Sequence, residues 1–137
     1  MTSTRITATL FGLAFTAALP FALAPGAAAA ADSAKEVATA TFHAGLAAGS
    51  KDLKTVQSHL HHVVNCLVGP KGTGFDANEL NPCKDQGDGA LMDTMDAAHK
   101  KTLQGALDYA MAGLKTMDLA SAQKAATEAQ DELKKVK

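Results

Sequence analysis

The chain has 137 residues, enough for one domain, with 13 Lys and Arg against 14 Asp and Glu. Arg5 is the only arginine, so beyond the first 31 residues 12 Lys face all 14 carboxylates, and a net charge of −2 without a dense basic surface argues against a nucleic-acid partner. There is no Trp and one Tyr, and beyond residue 31 only Phe42 and Phe75 remain of the Phe, so a core must come from Ala, Leu, Val and Met; so thin a core gains from a staple or a bound ligand.

Residues 1–31 read as a signal peptide. One cation, Arg5, precedes the apolar run ITATLFGLAFTAAL, and the small residues GAAAAADS follow, with cleavage expected after Ala29, Ala30 or Ala31. Pro20 and Pro25 make the second half of this uncharged stretch a poor spanning helix, and no Cys is present there to carry a lipid. The expected product is a periplasmic or secreted protein without a stable membrane anchor, its helical domain covering residues 32–137.

Four helical segments follow. Asp32 or Ser33 can cap a first helix that runs to about Ala48 and stops at Gly49. A second starts near Lys51 and ends at Gly69 and Pro70, with Leu53, Val56, Leu60, Val63, Val64 and Leu67 on one stripe. A third is predicted from about Ala90 to Lys115, carrying Leu91, Met92, Met95, Thr102, Leu103, Ala106, Ala110 and Leu114 on a broad face. Asp118 can cap a fourth that presents Leu119, Ala122, Ala126, Ala129, Leu133 and Val136 and finishes in lysines suited to a helix C-terminus. No segment alternates as a strand would. Short connections on either side of the long one between the second and third helices predict an all-α, up-down-up-down four-helix bundle.

The long connection, Gly69 to Gly89, is unusual in a compact domain unless something ties it down. Cys66 and Cys83 are an even pair in a chain expected to leave the cytoplasm, and a disulfide between them would fasten the loop to the end of the second helix. Within it, Asp76, Asn78, Glu79 and DQGDG offer oxygen ligands, but without EF-hand spacing, and read as a turn-rich loop.

The functional signal is the stretch SHLHHVVNC, part of a set of five histidines. His43, about ten residues into the first helix, and His99, about nine into the third, are expected about 15 Å from the same end of a bundle, with His59 at mid-height on the second helix. His59 and His62 are i, i+3 partners that can bind a metal from one helix. His61 points nearly opposite and is expected to face solvent. The candidate metal ligands are therefore His43, His59, His62 and His99, with Met92 and Met95 as additional thioethers if the ion is Cu(I).

Imidazole ligands suit Cu, Zn or Ni, and the expected function is that of a carrier, buffer or sensor of such an ion. One alternative is a b-type haem for electron transfer or haem carriage, held by two of His43, His59 and His99, with room left by Ala122, Ala125, Ala126 and Ala129. Covalent c-type haem is excluded because no CxxCH occurs. A second alternative is a ligand-free interaction or stress protein, with other copies of the chain as candidate partners. No nucleophile elbow, phosphate loop or inward pair of carboxylates occurs, so an enzyme is not expected.

Overall fold

The structure is a computed structural model that describes residues 33–136. The expected signal peptide and its cleavage site lie outside the described residues. Among these, the secondary structure is all helical: α1 spans Ser33–Gly49, α2 Leu53–Val68, α3 Ala90–Asp93, α4 Ala97–Lys115 and α5 Leu119–Leu133. None of them is long and apolar enough to cross a membrane.

Short polar side chains set the starts. Asp52 takes the Thr55 N–H at 2.9 Å ahead of α2, Asp118 takes the Ser121 N–H at 2.8 Å ahead of α5, and Asp96 takes the His99 N–H at 2.7 Å ahead of α4. That last cap corrects the sequence reading. The single helix expected from Ala90 to Lys115 is two, because Thr94 and Asp96 adopt extended backbone angles between them. The Asp96 carboxylate offers the backbone a cap in place of an intrahelical bond, and here the cap wins. The one-turn α3 is thus a fifth helix that a four-helix plan does not contain.

Packing follows the small-residue composition. The buried positions of α1 are Glu36, Val37, Ala40, Ala44 and Ala47, and those of α5 are Ala122, Ala125, Ala126, Ala129 and Leu133. α1 packs on α2 and α5, and α4 on α5 and α2. Leu60, Leu67 and Leu103 supply the bulk at the centre. At Gly113 in α4, a Cβ would come within 2.5 Å of Leu60 Cδ1 and 3.2 Å of Ala125 Cβ, so glycine there lets three helices approach closely.

The long loop is fastened as expected, and by more than was expected. Cys66, in the last turn of α2, is bonded to Cys83 with their Cα atoms 5.2 Å apart. Beside it, the fully buried Asn65 side chain donates to the carbonyls of Asp76 at 3.0 Å and Leu80 at 3.2 Å and accepts the Asp76 N–H at 2.9 Å. One amide thus replaces the backbone pairing that an irregular segment lacks. The loop folds back along α2 instead of projecting from its end.

At the far end of the loop a buried carboxyl takes the same part. Glu36 of α1 is 1 % exposed and accepts the Gly89 N–H at 2.9 Å, where Gly89 holds a φ of 114°. Burial foremost, then the nearby charges of Asp93 and Asp88, push its pKa up to about 7, with the Gly89 N–H opposing them. Below pH 4.5 both folded and unfolded chains carry the proton and no penalty arises. Between 4.5 and 7 the unfolded chain ionises first, so folding stability falls as pH rises, and above 7 the loss is complete. Glu36→Gln keeps an acceptor for Gly89 and removes the charge. It is expected to stabilise the fold by roughly 1 to 2 kcal/mol at pH 8 and by little at pH 4. Urea unfolding of both proteins at the two pH values checks this, and a variant destabilised at pH 8 would show that the fold needs the carboxylate.

Candidate metal centre

Three imidazoles from two helices meet on one side of the molecule. His43 projects from α1 towards α2, and from α2 His59 and His62 project side by side from successive turns. The Nδ1 of His43 stands 3.2 Å from the Nδ1 of His59 and 3.3 Å from the Nδ1 of His62. The ring centroids lie 5.4 Å apart for His43 and His59, 4.9 Å for His43 and His62, and 5.4 Å for His59 and His62. One ligand atom from each residue falls within 4.8 Å of the others, a group that can hold a metal ion.

The electrostatics favour neutral rings. Burial, with the neighbouring His62 and His59 adding to it, lowers the pKa of His43 to about 4. His62 is 8 % exposed, and burial lowers its pKa too, as does His59, while the carboxylate of Glu79 pulls the other way. Both therefore stay unprotonated at neutral pH, which is the state that ligates. One imidazole nitrogen carries either one lone pair or one N–H in the ring plane. The Nδ1 of His43 thus cannot make two well-aligned hydrogen bonds to His59 and His62 at once, whereas a cation between the three satisfies all of them.

The remaining candidates lie elsewhere. His99 is at the third position of α4, not at mid-helix, because the break at residues 94–96 moves the helix start forward to it. It lines a cavity of about 100 Å³ with Ser33, Ala34, Val37 and Thr94, at the opening turn of α1. His43 is six residues beyond Val37, a rise of about 9 Å. The expectation that His99 shares the level of His43 and His59 is thereby corrected, and His62 takes that place.

Met92 and Met95 are displaced by the same break, which ends the continuous stripe they were assigned to. They are 67 % and 91 % exposed, and Met92 lines a separate cavity of about 390 Å³ with Val68, Leu91, Leu107 and Met111. Cys66 is committed to its disulfide. As for haem, Ala122, Ala126 and Ala129 are fully buried in close packing, and the His43 and His59 rings approach too closely to admit a macrocycle between them as they stand. Nothing in this arrangement supports it.

The α2 histidines are more covered than a helical wheel suggests. His62 is the most buried of the three, and His61, expected in solvent, has its Nδ1 3.6 Å from Asp76 Oδ2 with both side chains about a third exposed or less. The loop that folds back on this side of α2 covers both. It also brings Glu79 Oε2 to 3.9 Å from His62 Nε2, where Ser58 Oγ donates to that carboxylate oxygen at 3.1 Å. Glu79 was visible in the sequence only as one of several loop oxygens; Ser58 carried no signal beyond lying one turn before His62.

Comparison with protein-family models, with curated proteins and with solved structures finds no match, so the chemistry of these three rings carries the functional reading alone.

Proposed function

We propose that this chain binds one transition-metal ion, Cu, Zn or Ni, through His43, His59 and His62, as an exported carrier, buffer or sensor and not as an enzyme. The observation that carries this is the spacing of the Nδ1 atoms. Two nitrogens at 2.0 to 2.1 Å from a tetrahedral ion lie about 3.3 to 3.4 Å apart, and His43 Nδ1 stands 3.2 and 3.3 Å from its two partners. Three protein ligands leave a fourth position for water or an incoming ligand. An ion held that way can be handed on, as a carrier or buffer requires.

Two further observations fit the reading. The buried Cys66–Cys83 bridge suits an oxidising compartment, in keeping with the leader-like residues 1–31. The packing of α1 on α2 brings their histidines together, in keeping with a reading of the four long helices as an up-down-up-down bundle. Titration of the protein from residue 32 with Zn(II), Cu(II) and Ni(II) in a calorimeter tests the proposal, with X-ray absorption on the loaded sample. One equivalent bound, with nitrogen neighbours at about 2.0 to 2.1 Å, is the expected result. Failure to take up any of the three ions beyond the background of an exposed histidine overturns it.

A further inference from the structure

An imidazole that ligates through one nitrogen must keep its proton on the other, and which nitrogen does which depends on what the far side of the ring meets. The ring of His62 has two different sides. Its Nδ1 faces His43 Nδ1 at 3.3 Å, inside the cluster, and its Nε2 faces outward to Glu79 Oε2 at 3.9 Å. The two nitrogens lie on opposite edges of the ring, so Glu79 stands behind the ligand and not among the ligands.

Glu79 is itself held. Ser58, one turn before His62 on the same face of α2, donates its hydroxyl to Oε2 at 3.1 Å. The loop segment that carries Glu79 is pinned on both sides, by Asn65 at Asp76 and Leu80 and by the bridge at Cys83. His62 is 8 % exposed, so little of its ring meets water. The 3.9 Å separation is longer than a hydrogen bond. A small rotation of a glutamate side chain closes such a gap, and Ser58 limits where the carboxylate can go.

We propose that Glu79 is a positioning residue of the histidine cluster: it accepts the Nε2 proton of His62 and so directs the Nδ1 lone pair of that ring towards the ion. The proposal rests on the metal-binding reading above. A carboxylate in this place fixes the tautomer and strengthens the ring as a donor, and loss of such a partner typically costs 10- to 100-fold in metal affinity.

The test compares wild type with Glu79→Leu and Glu79→Gln, all confirmed as helical by circular dichroism. In the metal-free proteins, nitrogen-15 NMR is expected to show the His62 proton on Nε2 in wild type and a mixture of tautomers in Glu79→Leu. Glu79→Gln retains an oxygen acceptor and is expected to keep the wild-type tautomer. Zn(II) affinity, measured by competition with a chromophoric chelator, is expected to fall about 10- to 100-fold in Glu79→Leu and less in Glu79→Gln. A wild-type His62 protonated on Nδ1, or an unchanged Zn(II) affinity in Glu79→Leu, would overturn the assignment. Failure of the metal reading looks different: no variant, wild type included, would take up Zn(II), while the tautomer comparison would still decide what Glu79 does to His62.

Discussion

Replacing His43 by Ala is expected to weaken Zn(II) binding by at least about 100-fold, the largest loss of any single histidine. Structural zinc sites with four ligands bind with roughly 10 to 16 kcal/mol, so one ligand of three corresponds to about 3 kcal/mol or more. His43 is also the ring whose Nδ1 stands within 3.3 Å of both others, and it comes from a different helix. Without it only the His59 and His62 pair of α2 remains, a two-ligand site open to water. His61→Ala and His99→Ala are expected to stay within about twofold of wild type, because His61 faces Asp76 and His99 lines another cavity. The same contrast should appear in melting temperature, since a ligand at 100 times its Kd stabilises the fold by about 2.7 kcal/mol. A loss at His99 equal to that at His43 would place the ion elsewhere.

The second large effect is expected from the bridge. Cys66→Ala with Cys83→Ala opens a loop of 17 residues' separation, and the chain-entropy relation assigns its closure about 3 kcal/mol. For a domain of this size that is a large share of the 5 to 15 kcal/mol typical of folded proteins. Alanine is chosen because Cys66 and Cys83 are almost wholly buried, and serine would add an unpaired hydroxyl. Urea unfolding, with m fitted separately for each protein because the uncross-linked unfolded chain is more expanded, is the measurement. A loss below about 1 kcal/mol would mean that the three hydrogen bonds of Asn65 hold the loop without the bridge.

The sequence by itself determined the helical class, the start set by Asp118, the stripe of Val56, Leu60, Val63, Val64 and Leu67, and the pairing of the two cysteines. These follow from local rules: a side chain that caps the next turn, apolar residues repeating at 3.6, and an even cysteine count in a chain expected to be exported. It also singled out His43, His59, His62 and His99, of which the first three meet in the structure. What it missed was decided by competition between local options. Residues 93–96 could continue a helix or cap a new one, and only the packed chain shows that Asp96 caps α4. That choice places His99, Met92 and Met95 away from the three clustered rings. The burial of His62, the approach of Asp76 to His61 and the place of Glu79 depended on where the loop beyond Gly69 lies. A helical wheel places side chains around one axis and cannot represent a segment folded back upon it. The contacts of Asn65 and of Glu36 with that loop span 11 to 53 residues of sequence, and such pairings exist only once the loop has closed and the entropy of closing it has been offset.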